Sequence, residues 1–295
     1  MKKQVCNACP RHCGALRKEE GLGFCGVPQE FVVSRVSLHP WEEPPISGQN
    51  GSGTIFFAGC NLRCVFCQNK PISHGAKGRV MTEEELEAAM LDLCYQGATN
   101  INLVTPTHYA EALLPLLQRV KPKLGIPIVY NCGGYESVEM LQKLEGLIDI
   151  YLPDFKYASG EIAKKYSGAF DYPERAKEAL GEMLRQVGSP VFAADGTLQT
   201  GVIVRHLVLP GNRKESEAVL RLLAERFGTK DYLLSLLWQY TPEFATDAPY
   251  KELHRRVTTF EYETVARLAE TLGFEGFFQE KSSATVAYTP PFDEE

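Results

Sequence analysis

The sequence predicts an α/β protein whose parallel strands wind into a partial (β/α)6 TIM barrel, preceded by a cysteine-rich metal-binding segment. Three observations predict it. Six short aliphatic or β-branched runs, at 54–57, 101–104, 126–130, 148–152, 202–209 and 232–237, alternate with stretches of helical period, the pattern of right-handed βαβ crossovers. Most of these runs are continuously apolar, as strands covered on both faces are. A polar or Gly/Pro motif follows every run, and in barrels the loops after the strands build the site. No glycine-rich dinucleotide fingerprint follows the first run, which weighs against a doubly wound nucleotide fold.

In chain order, residues 1–50 form the cysteine-rich segment, 51–281 the barrel and 282–295 an irregular tail. The first run leads into Gly59-Cys60-Asn61, and Thr82 with Glu85 makes a capping box ahead of Leu86, Met90 and Leu93. The second leads into Thr105-Pro106-Thr107-His108 and a helix over 110–120, with Lys121 and Lys123 near its end. The third leads into Asn131-Cys132-Gly133-Gly134, after which Ser137 caps a helix to about residue 145. The fourth ends in Pro153-Asp154-Phe155-Lys156, and Pro173 suits the first turn of a helix that stops near Gly188. The fifth leads into Pro210-Gly211-Asn212 and the sixth into Gln239-Tyr240-Thr241-Pro242, with amphipathic helices at 215–227 and 260–272 closed by Gly228 and Gly273.

Composition limits the function classes. The 295 residues are 44% hydrophobic and 23% charged, ordinary globular content. A net charge of −6 argues against a phosphate-backbone binder, so no nucleic-acid partner is expected. No apolar run approaches the roughly 18 residues of a membrane span. The lysines at the N-terminus lack the apolar stretch of a secretory signal, so the expected setting is the cytoplasm. There thiols stay reduced, and close cysteine spacings read as metal ligands rather than disulfides. Seven of the nine cysteines fall within the first 67 positions.

The sharpest signal is Cys60-x3-Cys64-x2-Cys67 on the loop after the first strand. Three thiolates this close can hold three corners of a cubane iron–sulfur cluster and leave one iron open for a ligand. The competing reading is a zinc site that borrows His74. The wider stretch Gly59-Cys60-Asn61-Leu62-Arg63-Cys64-Val65-Phe66-Cys67-Gln68-Asn69 resembles the cluster motif of radical S-adenosylmethionine (SAM) enzymes, with Phe66 as the aromatic residue before the third cysteine. Gln68-Asn69, Asp154-Phe155-Lys156 and the strand Arg205-His206-Leu207-Val208-Leu209 are similar to the activating enzymes of pyruvate formate-lyase and their relatives.

The resemblance implies a [4Fe–4S] cluster whose open iron binds the amino and carboxylate groups of SAM, reductive cleavage to a 5′-deoxyadenosyl radical, and hydrogen abstraction from a substrate. It implies that Arg205 pairs with the methionyl carboxylate, for which a planar fork is suited. Asp154 and Lys156 lie near the methionyl end, where a monovalent cation is a further candidate. Asn131, Gly133 and Gly134 form a turn that lets backbone approach the cofactor. Two departures stand out. Thr105-Pro106-Thr107-His108 replaces the family's Gly-Gly-Glu-Pro, leaving Thr105, Thr107 and a neutral His108 as candidate partners of the amino group. Tyr130 stands where the family carries an acid. Gln239 is a candidate contact to the adenosine, and His206 and Cys94 are expected to pack.

Cys6, Cys9, Cys13 and Cys25 form a second, four-thiolate set, which should be closed and so structural or electron-carrying; zinc and a second cluster both fit. The expected activity is generation of a hydrogen-abstracting radical from SAM, first of all to activate a glycyl-radical enzyme. Radical modification of another peptide or small molecule is the alternative, and an iron–sulfur electron carrier or assembly protein the alternative of a different class. Expected partners are a reductant such as flavodoxin or ferredoxin and a protein or peptide substrate.

Overall fold

A computed structural model describes residues 5–17, 22–75, 77–285 and 292; most of the expected C-terminal tail, 286–291 and 293–295, lies outside the described residues, as do residues 1–4 and 18–21 of the cysteine-rich segment. The chain enters through β1 (Phe31–His39), a short helix α1 (Pro44–Ser47), β2 (Ser52–Phe57), a helical turn α2 (Lys70–Ser73) and β3 (Arg79–Met81). Strand and helix then alternate: α3 (Glu83–Tyr95), β4 (Ile101–Val104), α4 (Ala110–Leu124), β5 (Ile128–Cys132), α5 (Val138–Lys143) and β6 (Ile150–Pro153). Two helices, α6 (Gly160–Ser167) and α7 (Tyr172–Val187), precede β7 (Val191–Phe192) and β8 (Leu198–Leu207), followed by α8 (Arg213–Phe227), β9 (Leu233–Leu237), α9 (Thr259–Leu272) and β10 (Gly276–Phe278).

Along the sheet, β2, β4, β5, β6, β8, β9 and β10 lie side by side in chain order and parallel. Each crossover therefore steps the same way, which is the winding of a barrel and not of an open doubly wound sheet. The edges β3 and β10 do not pair, so the barrel is partial. β1 adds antiparallel to β2, and β3 to β1, so that residues 31–39 of the cysteine-rich segment belong to the same sheet as the barrel. β10 is a seventh parallel strand beyond the six predicted.

The helix signals lie where the physics places them. Thr82 and Glu85 form a reciprocal capping box, as Thr258 and Glu261 do, and Ser137 caps α5. Gly188, Gly228 and Gly273 cap the ends of α7, α8 and α9. The helices pack outside the sheet: Leu86, Met90, Leu113 and Leu117 are fully buried against Ile55 and Leu103. Inside, the lower end of the barrel is filled by Val129, Ile150, Leu152, Leu198 and Ile203, with Ile46 of α1 inserted among them.

Candidate active site

Above that filled layer, at the C-terminal ends of the parallel strands, opens a cavity of about 300 Å³. Cys60, Cys64, Cys67 and Phe66 line it from the loop after β2, Thr105 from β4, Asn131 and Gly133 from β5, Asp154 and Lys156 from β6, Arg205 from β8 and Gln239 from β9. Six loops thus converge on one space, as a wound parallel sheet requires.

The three thiols share one loop held from several sides. The Leu62 N–H points at the Cys60 Sγ at 3.4 Å, the Ser167 hydroxyl donates to the Cys64 Sγ at 2.9 Å, and Cys67 Sγ lies 3.3 Å from the Ser73 hydroxyl. Phe66 packs edge-on to Tyr166 and Tyr240 at 6.5 and 6.3 Å, which fixes the turn before Cys67. Burial pushes the Cys60 thiol up to about 12, with Cys64 and Cys67 adding to the effect, and burial raises Cys67 likewise. Buried thiols of this kind ionise only when a cation takes the charge, the behaviour of iron ligands. Among the described residues no three Cys, His, Asp or Glu side chains gather tightly enough for a single metal ion. His74 does not line the cavity.

An ion chain leads away from the thiols. Lys156 pairs with Asp154, whose other oxygen accepts from Arg205 Nε at 2.9 Å; Arg205 also donates to Asn131 Oδ1 at 2.5 Å and lies 3.7 Å from Glu42. Burial works against the Asp154 carboxylate, but Arg205 and Lys156 outweigh it and hold the group below its usual value. Burial alone would lower Arg205 and Lys156, yet Asp154 keeps both above their ordinary values. The array is therefore charged, and a planar guanidinium is presented with its neighbours already set. At the far rim, Gln279 Nε2 donates to Gln239 Oε1 at 2.9 Å, tying β9 to the segment after β10. Asn69 Oδ1 and Thr241 Oγ1, both on cavity-lining residues, are buried without a hydrogen-bond partner among the described residues, as is Glu43 Oε2, so donors from a ligand have waiting acceptors.

Three residues singled out in the sequence do not line the cavity. Thr107 and His108 sit in a 3₁₀ turn that Pro106 starts, and this turns both away from the rim. The Thr107 hydroxyl donates to Glu136 Oε1 at 2.9 Å. His108 Nε2 meets the Ala58 carbonyl at 2.8 Å, Arg17 donates to the His108 carbonyl, and burial lowers its pKa to about 3, so the ring is neutral. Gly134 has φ +78°, and a Cβ there would stand 2.0 Å from the Asp154 carbonyl oxygen, so glycine serves the close passage of β5 past β6. Gly133 lines the cavity, and a Cβ on it would meet Leu62 Cδ1 at 3.0 Å. His206 packs as expected, its Nδ1 on the Phe155 carbonyl at 2.7 Å.

The N-terminal cysteines cluster beside the same loop. Cys13 and Cys25 Sγ atoms lie 3.3 and 3.5 Å from where a Gly23 Cβ would be, and the Cys9 thiol, which burial raises to about 12, interacts with Cys6 and Cys25. The Cys25 carbonyl accepts from the Cys60 N–H at 3.4 Å, Arg11 Nε donates to the Asn61 carbonyl at 2.8 Å, and Phe24 lies between the Arg11 and Arg63 guanidiniums at 4.0 and 4.6 Å. The sequence motifs missed Trp41, Glu42 and Glu43, which line the cavity from the connection after β1. The signal available was the apolar β-prone run Phe31-Val32-Val33 with Val36 and Leu38 after it, which marks a strand ahead of the one taken as first.

Comparison with known proteins places this architecture. The Radical SAM superfamily profile matches residues 54–223, more than half of the chain. An uncharacterized protein of Methanocaldococcus jannaschii is 28% identical over 274 residues, covering 90% of this chain and 74% of its own. The pyruvate formate-lyase-activating enzyme of Clostridium pasteurianum is 25% identical over 186 residues, 60% of this chain and 70% of that enzyme. Streptococcus suis SuiB, solved with its precursor peptide SuiA, shares the fold with TM-score 0.50 at 10% identity over 75% of this chain; the match spans 46% of SuiB, less than half its length. Among the described residues no helix is long and apolar enough to cross a membrane.

Proposed function

The chain belongs to the radical SAM superfamily, and from that premise we propose that Cys60, Cys64 and Cys67 hold a [4Fe–4S] cluster at the barrel rim with SAM in the cavity beside it. The observation that carries this is the convergence of three thiols, Cys64 buried and Cys60 and Cys67 half-buried, and the Lys156–Asp154–Arg205 ion chain on one cavity. A cluster bound there supplies the single electron by which SAM yields a hydrogen-abstracting 5′-deoxyadenosyl radical. The protein's own groups do the rest. Arg205 offers its fork to the methionyl carboxylate, with Asp154 and Asn131 fixing its plane. Lys156 places a positive charge beside the thiols, and Ser73 and Ser167 offer hydroxyls to two of the sulfurs. Phe66, Tyr157 and Tyr240 line the walls and keep water from the reacting centre.

The substrate reading is activation of a glycyl-radical enzyme, supported by the Clostridium relative at 25% identity. Radical modification of another peptide is the second reading, favoured by the fold shared with peptide-bound SuiB. A flavodoxin or ferredoxin is the reductant in either case. Zinc and a second cluster are the two readings for the N-terminal cysteines, which pack on the back of the cluster loop through Cys25 but, among the described residues, do not gather around a single ion. Iron and sulfide counts on anaerobically reconstituted protein and on a Cys60→Ala/Cys64→Ala/Cys67→Ala variant test the cluster, and equal iron in both sinks it. Reduction with SAM present should release 5′-deoxyadenosine; none under strong reduction returns the chain to the electron-carrier class. A glycyl radical in a partner enzyme, sought by electron spin resonance, separates the two substrate readings.

A further inference from the structure

The connection between β1 and β2, residues 40–51, lies ahead of the superfamily match and outside every motif of the sequence. It dips into the barrel. Ile46 is buried in the lower core, Asn100 Nδ2 donates to the Ile46 carbonyl at 2.6 Å, and the Ser47 hydroxyl donates to the Glu42 carbonyl at 3.2 Å. Anchored from below, Glu42 and Glu43 present their side chains to the cavity between Trp41 and Pro44.

Carboxyl groups outnumber cations there: among the described residues the cavity lining carries Glu42, Glu43 and Asp154 against Arg205 and Lys156, and burial raises Glu42 to about 7. Asp154 takes Arg205 Nε and Lys156; Glu42 keeps Arg205 at 3.7 Å and accepts from Asn102 at 3.2 Å and Asn131 at 3.5 Å. Arg205 also attracts Glu43, but among the described residues no donor meets Glu43 Oε2, although the residue is only 9% exposed. A buried carboxylate in that state is costly until an N–H-bearing cation meets it.

The position sets that cation below the thiols. Glu42 accepts from Asn102, midway along β4, on the connection that Ile46 anchors in the lower core, whereas Cys60, Cys64 and Cys67 hang from the loop beyond the C-terminal end of β2. The carboxylate pair thus lies deeper in the barrel than the cluster loop. Resting on the radical SAM reading above, we propose that Glu42 and Glu43 form a subsite for a protonated amine of the substrate, such as a lysine side chain or the amino terminus of a peptide. Glu43 Oε2 accepts from the ammonium, with the Glu42 carboxyl beside it.

Calorimetric titration of the cluster-loaded, SAM-bound protein tests this with Nα-acetyl-lysine methylamide, its uncharged analogue Nα-acetyl-norleucine methylamide, and potassium chloride. The lysine compound should bind at least about tenfold more tightly than the norleucine compound, and Glu43→Gln should erase that preference. SAM affinity should move less than about twofold in the same variant. Equal affinity for the two amides overturns the proposal, as does displacement of the lysine compound by equimolar potassium. A loss of SAM affinity on the order of tenfold in Glu43→Gln also overturns it, since the pair would then belong to the cofactor's own ammonium. Glu43→Asp, which retains the charge, should keep the preference at reduced affinity; its loss there is a further contrary result. Because amine binding is read without turnover, a wild-type preparation that binds the lysine compound but releases no 5′-deoxyadenosine overturns the radical reading and leaves the amine site standing.

Discussion

Replacing Tyr172 by phenylalanine tests how the site is held. Tyr172 is fully buried behind the cavity; its hydroxyl accepts the Lys156 N–H at 2.9 Å and lies 2.9 Å from both the Gly133 and Asp154 carbonyl oxygens. One hydroxyl proton serves one carbonyl at a time, so the oxygen satisfies a donor and an acceptor on two neighbouring strand exits. Tyr172→Phe keeps the ring, its stack on Tyr135 at 6.1 Å and its edge contact with Tyr157 at 5.4 Å, and removes only the bridge. Leaving a buried N–H and a carbonyl unpaired costs about 1–3 kcal/mol. At roughly 2–4 °C per kcal/mol for a chain of this size, a loss near the middle of that range lowers the melting temperature by about 4–8 °C. Because Lys156 and Gly133 line the cavity, their displacement should also slow 5′-deoxyadenosine formation on the order of tenfold. Anaerobic scanning calorimetry and a product assay on the same preparation measure both. A melting temperature within about 1 °C of wild type, with the rate intact, refutes the idea that this hydroxyl pins the site.

Other perturbations follow the same logic. Arg205→Lys loses the fork that meets Asp154 and Asn131, and SAM affinity by equilibrium dialysis should fall roughly ten- to a hundredfold; an unchanged constant removes Arg205 from the cofactor site. Gly134→Ala forces a left-handed backbone on a residue with a Cβ and drives that atom into the Asp154 carbonyl, so it should cost more than the 1–2 kcal/mol or so of the backbone alone; a melt indistinguishable from wild type contradicts this. Burial raises the Glu136 carboxyl from 4.5 to about 7, against the lowering effect of hydroxyl bonds from Thr107 and Tyr130. The folded state therefore holds this proton more tightly than the unfolded chain, so the stability it contributes is complete below pH 4.5 and lost as pH rises towards about 7. Wild-type melting temperature should accordingly fall across that window more steeply than that of Glu136→Gln, and parallel curves across a calorimetric pH series exclude the effect.

The parallel barrel was legible because its strands are covered on both faces and announce themselves as continuous apolar runs; 101–104 coincides with β4, and 148–152 is offset from β6 by a residue or two. Caps such as Thr82 with Glu85 were legible because their chemistry is local. The edge strands were not. β3 is three residues long, β7 two, and β1 interrupts its apolar residues with Ser34, Arg35 and Ser37 inside a segment read for its cysteines. In the site, spacing alone could place three cysteines on one loop. It could not show that Pro106 starts a turn that removes Thr107 and His108 from the rim, nor that Glu42 and Glu43 reach the cavity from the connection after β1. Gly134 looked like a concession to a ligand and proves to be one to the neighbouring strand.

The insertion of Ile46 beneath the cavity makes its floor out of the connection after β1. Val129, Ile150, Leu152, Leu198 and Ile203 close around it, so the barrel is corked by its own chain. The depth of the cavity is therefore set by a residue that the parallel strands do not supply, while its rim is set by the loops that follow them.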